Sequence, residues 1–260
     1  MAVMTAQRLI DALDLPSNSR VDQRVPKKLL LENASPTAAD KRQINDDIEE
    51  IQWVAALKPN TIGVSDYRDD VREYLEIAVL AVTQRTTNAN PTKVSRIHEL
   101  VHRAVPYPVL LLLKSDLSVT VSLAHKRWAQ NEAGKVVLDG GVLTVAMHDD
   151  APSETILSAF TKSLSLASQP QSTLFGLYQG WMDSVQALLA AKLTGTFKTA
   201  DSPEQASARR QALQDCEQLT IEETRLHTQA AKEKQLARQV ELNLALKRVQ
   251  AQLTAARQQL

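Results

Sequence analysis

His98-Glu99-Leu100-Val101-His102 has the spacing of a zinc-hydrolase signature. Two imidazoles one helical turn apart can grip a single metal ion, and the glutamate between them can deprotonate a bound water. A catalytic site of this kind needs a third protein ligand. His125 and the downstream carboxylates are available, but at no recognised spacing. The helix that would carry the motif stops at Pro106, close behind the second histidine, and His98 lies beside Ile97, Val101 and Val105 on its apolar face. The residues therefore favour a histidine packed against a sheet. A metal site at His98, Glu99 and His102 is the alternative.

A second cluster runs from Ser122 through His125, Lys126 and Arg127 to Trp128, at the predicted end of a strand, where sheets expose functional groups. Lys126 and Arg127 suit contacts to phosphate or to a polar partner, and Trp128 suits stacking on a base. Glu76 and Asp116 fall on neighbouring predicted strands, which raises a degenerate nuclease as a further alternative; His125 stands where such an enzyme would place its second carboxylate. Two other basic stretches suit the same partners. RVDQRVPKKLLLE, Arg20 to Glu32, carries Arg24, Lys27 and Lys28 around an apolar tip. From Arg225 onward seven Lys and Arg residues, Arg238, Lys247 and Arg248 among them, stand against two acidic ones. The candidate set for binding a partner or nucleic acid is thus His125, Lys126, Arg127, Trp128, Lys27, Lys28, Arg238, Lys247 and Arg248, with no residue assigned to catalysis.

The elements that must position these groups follow from periodicity. Thr5 to Asp14 reads as a short amphipathic helix, and Ser35-Pro36 as the start of another. Glu49 to Leu57 fits helix and strand alike. Tyr74 to Arg85 is a buried strand, Thr86 to Pro91 a loop, and Thr92 to Val105 a helix with Val94, Ile97, Val101 and Val105 near one face. Val109 to Leu113 is the next strand, Ser115-Asp116 a turn, and Val119, Val121 and Leu123 alternate as a half-buried strand. Lys135 to Leu138 and Val142 to Met147 are expected to pair across Asp139-Gly140-Gly141. Beyond residue 150 the pattern is helical: Ser153 to Leu166, Thr173 to Leu193, and a last helix started by Ser202-Pro203-Glu204 that has neither Gly nor Pro from there to Leu260. Leu242, Leu246, Val249, Leu253, Ala256 and Leu260 keep the spacing of a coiled-coil seam. The expected architecture is α/β: a mixed β-sheet domain flanked by helices over residues 1–150, then a C-terminal helical, coiled-coil-like extension over 151–260.

With 260 residues and 43% apolar content the chain can bury a real core. Thirty basic and thirty acidic residues cancel, so attraction to nucleic acid or a membrane surface has to be local. Cys216 stands alone, which excludes an internal disulfide framework and a cysteine-rich zinc site. No aliphatic run approaches membrane-helix length, and Arg8 sits where a signal peptide would be apolar. A cytoplasmic, soluble protein is expected. Only seven glycines are present, and none forms a phosphate loop, so no cofactor is expected.

Several segments, taken in order, carry a resemblance: VPKKLLLE, IEEIQWVAALKPNTIGV, YLEIAVLAV, HRAVPYPVLLL, SLAHKRW, LYQGWMDSVQALLAAKLTG and EKQLARQVELN. Together they resemble the uncharacterised prokaryotic domain-of-unknown-function family 4391 over nearly the whole chain, with PYPVLLL and AHKR contributing most. Members of that family tend to be encoded beside DNA methyltransferases and DNA helicases in phage-defence and restriction-like loci. The resemblance itself implies an accessory subunit of such a system. Joined to the basic clusters and the seam read above, which offer DNA and a second copy through the C-terminal helix as further partners, it supports a non-enzymatic adaptor that binds a helicase or methyltransferase. It brings no catalytic residues with it.

Overall fold

A computed structural model describes residues 4–34, 36–85, 91–115, 118–130, 132, 134–147 and 152–260. The expected cap at Ser35, the loop over 86–90 and the turn at Asp116 lie outside these residues. The chain divides into two compact units, Met1–Val185 and Gln186–Leu260.

The first unit is α/β. Helix α1 (Ala6–Ala12) starts where the Thr5 hydroxyl accepts the Arg8 amide at 3.2 Å. The basic stretch after it forms strand β1 (Arg20–Arg24) and helix α2 (Lys28–Asn33). Helix α3 (Ala38–Asp47) opens on a capping box in which Thr37 and Asp40 satisfy each other's backbone amides. The ambiguous segment is strand β2 (Ile48–Leu57), laid antiparallel on strand β5 (Ile77–Gln84). Helix α4 (Pro59–Ile62) and the short ribbon of β3 (Tyr67–Arg68) and β4 (Glu73–Tyr74) lie between them in sequence. Helix α5 (Pro91–Ala104) then crosses over to strand β6 (Val109–Lys114), which runs parallel to β5. Strand β7 (Val119–Leu123) returns antiparallel to β6.

The expected hairpin across Asp139-Gly140-Gly141 does not close on itself. Strand β9 (Val136–Leu138) pairs with β8 (Lys126–Trp128), while β10 (Leu143–Met147) pairs with β7. Every residue of β7 is buried, so its second backbone edge needs a ladder, and β10 supplies it from Leu143↔Leu123 to Met147↔Val119. Gly140, at φ 85°, turns the chain from one pairing to the other. The main sheet is thus ordered β1-β2-β5-β6-β7-β10, with β5–β6 its one parallel pair.

Strand β6 is buried on both faces, as a strand joined by a crossover must be. On one face, Leu30, Ile44, Ile97, Leu100 and Val101 from α2, α3 and α5 pack on Ile51, Leu80, Val82, Leu111 and Leu113. Helix α1 packs on β6, beside helix α6 (Glu154–Leu164). Helix α7 (Leu174–Thr194) brings in Tyr178, whose hydroxyl donates to the Val109 carbonyl at 2.7 Å, and Trp181, whose indole donates to the Leu164 carbonyl at 2.9 Å. Both α6 and the start of α7 belong to this unit, which therefore continues past residue 150.

The second unit holds the end of α7 and two further helices, α8 (Pro203–Lys232) and α9 (Leu236–Arg257). The single last helix expected from the sequence is broken at Glu233, whose carboxylate accepts the amides of Lys234 at 2.8 Å and Gln235 at 2.9 Å. The reversal lets the seam of α9, with Leu253 buried, pack on Ala212, Cys216, Leu226 and Ala230 of α8; Gln250 donates to Glu223 across the pair at 2.9 Å. Among the described residues, no helix is long and apolar enough to cross a membrane.

Gly180 tests this packing. In a helix interior, Gly→Ala normally stabilises by about 1 kcal/mol. Here a Cβ would fall 2.5 Å from Gln169 Oε1 and 2.7 Å from Pro170 Cδ. Gln169 cannot swing away, because its Nε2 donates to Ser163 and Ser165 carbonyls at 2.6 and 3.0 Å. Gly180→Ala should therefore destabilise by roughly 1–3 kcal/mol; a gain in urea midpoint would refute the packing.

Candidate functional site

The histidine-lysine-arginine cluster begins just past the end of β7 and runs into β8. His125 is held at both ring nitrogens: Tyr74 Oη is 2.5 Å from Nδ1, and Gln179 Oε1 is 2.9 Å from Nε2. Since an amide oxygen only accepts, Nε2 carries the hydrogen and Nδ1 receives the Tyr74 proton. Burial pushes the Tyr74 phenol well above its ordinary value, which keeps it a donor. Gln179 passes the chain on to Asp183 at 2.8 Å, and Phe175 lies 5.2 Å from the imidazole, centre to centre. The result is a half-buried polar chain set among aromatic rings.

Lys126 points inward. It is 3% exposed, and its ammonium donates to the carbonyls of His102 and Val105. Those are acceptors that the last turn of α5 leaves without helical partners, at the negative end of the helix dipole. Burial pushes the lysine down to about 7, against the hold of the two carbonyls. The expectation of Lys126 as a surface docking group is corrected by this burial: it caps α5. Lys27 does the same for α3, donating to the carbonyls of Asn45 and Ile48. Arg127 and Arg72 share Asp139, at 3.7 and 2.8 Å, and the Trp128 amide donates to the Val71 carbonyl at 2.8 Å with its indole half-buried. Lys28 is exposed and lies 3.5 Å from Glu32.

The HELVH motif lies on α5 with both histidines facing the sheet. His98 Nδ1 and His102 Nε2 meet the same hydroxyl, Ser122 Oγ on β7, at 2.8 and 3.0 Å. One serine hydrogen serves one ring, so the other ring must donate to the oxygen. The two remaining ring nitrogens, His98 Nε2 and His102 Nδ1, are buried without a partner. Glu99 is turned away from them, ion-paired with Arg96 at 2.6 Å and Arg103 at 3.3 Å. Arg96 in turn grips Asp40 of α3 with two 2.8 Å bonds. The motif thus separates its glutamate from its histidines, and among the described residues no three His, Cys, Asp or Glu side chains are grouped to hold a metal ion. For the nuclease alternative, Asp116 lies outside the described residues and Glu76 is paired with Lys58 at 2.9 Å.

The tail's basic residues are exposed but not aligned. At roughly 100° per residue, Lys247 and Arg248 lie about 180° and 280° around α9 from Arg238, so the three form no common stripe. What the sequence reading missed is an open apolar cavity of about 200 Å³ in the first unit. Leu29, Leu30 and Asn33 of α2, Ile51 and Trp53 of β2, and Val105 to Tyr107 after α5 supply most of its wall. Leu29 and Tyr107 are 46% and 38% exposed. A leucine triplet beside two lysines, and a tyrosine between two prolines, were its only traces in the sequence.

The buried histidines make stability depend on pH. Burial depresses His98 from 6.5 to about 4, and burial followed by the charge of Lys126 holds His102 well below its ordinary value. The unfolded chain therefore binds more protons between these limits, and stability must fall as pH drops from about 6.5 towards 4. For His98 alone the loss is on the order of 3 kcal/mol. Urea titrations at several pH values should show this slope, and His98→Gln should flatten it; an unchanged slope would exclude the imidazole as its source.

No curated protein and no solved structure matches this chain. A family model does match, over residues 13–253, so likeness and fold run together through the sheet, the α5 crossover and the helical hairpin. By that match the chain belongs to the family described as domain of unknown function DUF4391.

Proposed function

We propose that this protein is a non-enzymatic accessory subunit of a prokaryotic anti-phage defence or restriction–modification-like system, in which its α/β unit binds a DNA helicase or DNA methyltransferase. The observation that carries the reading is the open apolar cavity bordered by Leu29 and Tyr107. Exposed apolar concavities of this kind mark places where another molecule removes surface from water. One apolar side chain inserted there, burying about 100–150 Å², contributes on the order of 3 kcal/mol, the scale of an interface hot spot. The groups that resemble catalytic residues support the same reading: Glu99, His98, His102 and Lys126 already have architectural partners. The partner class comes from the family resemblance.

Direct DNA contact is a second reading, favoured by the exposed Arg238, Lys247 and Arg248 and the basic surplus of the tail. Without a continuous stripe, such contact is weak and salt-sensitive.

The full chain, used as bait in its native host, should retain a helicase or methyltransferase identified by mass spectrometry. Leu29→Asp and Tyr107→Asp, each checked for native circular dichroism, should reduce that recovery at least tenfold. Equal recovery by folded variants would overturn the cavity as the docking point. Fluorescence anisotropy on duplex DNA, with Arg238, Lys247 and Arg248 changed to Ala, addresses the second reading.

A further inference from the structure

Arg209 lies on the buried face of α8, in line with Ala206, Ala212 and Cys216, and is 8% exposed. Its Nε and Nη1 are buried without a hydrogen-bond partner. Among the described residues no carboxylate stands within ion-pair distance of it, although the half-buried guanidiniums of Arg72, Arg96 and Arg127 are each matched by one.

The helix register explains the gap. The positions three and four residues away, where a helix places its side-chain pairs, hold Gln205, Ala206, Ala212 and Leu213. Glu204 and Asp215, the nearest acids in α8, stand roughly 140° and 120° around the helix from Arg209. Asp201, before the helix, is taken by Lys198 at 3.0 Å. Gln239 and Gln250 of α9 meet Ala230 and Glu223 of α8, so α9, ending at Arg257, reaches back only as far as Cys216. Arg209 is about two turns further along.

A guanidinium cannot neutralise itself as a buried carboxyl or lysine can. Water can answer its hydrogen bonds, but only an anion answers its charge. Arg210 points roughly 100° away around the helix, so one positive charge faces this spot. A carboxylate balances it one for one and accepts two parallel N–H bonds from the planar fork, whereas a phosphate dianion would leave a surplus. We propose that Arg209 is the binding site for a single carboxylate group, carried by a small organic acid or by an acidic side chain of a partner polypeptide. Without that carboxylate the guanidinium is a cost to the fold, and a neutral side chain of similar length is tolerated or favoured. The site belongs to the second unit, and it stands whether or not the cavity of the first unit docks a helicase or methyltransferase.

Heteronuclear NMR of the arginine Nε–H groups in the full chain, with the Arg209 signal identified by its loss in Arg209→Met, tests this at neutral pH. Acetate up to about 100 mM, enough to fill a site of millimolar affinity, should move that signal saturably; chloride at the same concentration should not, and phosphate should act more weakly. Acetate should also raise the urea midpoint of the native chain but not that of Arg209→Met. In chloride, Arg209→Met should be at least as stable as the native chain, and Arg209→Lys should weaken the acetate response at least tenfold. Arg209→Met used as bait in the native host separates the two sources: loss of a protein that the native chain retains assigns an acidic side chain, and unchanged recovery assigns a free acid. An Nε–H signal indifferent to acetate, an equal acetate response in Arg209→Met, or a lower urea midpoint for Arg209→Met in chloride would each overturn the proposal.

Discussion

An ammonium group removed from water is expensive unless other dipoles replace its hydration. Lys126 makes that exchange at the end of α5, where the carbonyls of His102 and Val105 receive its protons. The position follows from topology. A parallel pair such as β5–β6 needs a crossover helix, and the chain must leave that helix to re-enter the sheet at its start. Carbonyls at the end of α5 are therefore carried into the interior, where water cannot satisfy them. A long cationic side chain reaching across from β8 solves this, because its stem packs with apolar neighbours while its tip meets the helix dipole.

The same constraint governs the other polar groups around α5. Arg96 ties the helix to Asp40 of α3, which already serves its own capping box. The guanidinium holds the Asp40 carboxyl well below its ordinary range, so the tie persists far into acid. The histidines tie α5 to β7 through one serine. Residues that look reactive in the sequence are thus three attachments of one helix to its surroundings. Their chemistry has been directed inward, and neutral histidines suit that role because both rings are buried and a charge on His102 would face Lys126.

Much of this was legible in the sequence. The 3.6-residue spacing of Val94, Ile97, Val101 and Val105 located α5, and it placed His98 on the buried face. The alternation of Val119, Val121 and Leu123 located β7. Pairing was less legible, because an Asp-Gly-Gly turn reports that the chain reverses but not which neighbour each arm takes. That choice belongs to β7, whose open edge is a tertiary fact. The break at Glu233 contains no Gly or Pro, so no local breaker announced it. A different signal was available: Ala212, Cys216, Leu219, Glu223, Leu226 and Ala230 repeat the spacing of the α9 seam, and two such stripes in one chain ask to be folded together. The inward course of Lys126 was not legible for a simpler reason. Periodicity places backbone, but it does not tell whether a four-carbon stem runs outward or back across a strand.

Charge balance bears on how such a protein would find its partners. With thirty charges of each sign, long-range attraction does little to accelerate encounter, and association should proceed at the ordinary rate of two surfaces meeting by diffusion. Selectivity must then lie in how long a contact lasts. Apolar features serve that purpose, because a side chain seated in a cavity has to regain its contact with water before it can leave. The cavity beside Leu29 is of this kind. The basic residues of the tail, scattered around α9, are not. A contact made through such a cavity is held by shape, and raising the salt concentration would strengthen it or leave it unchanged.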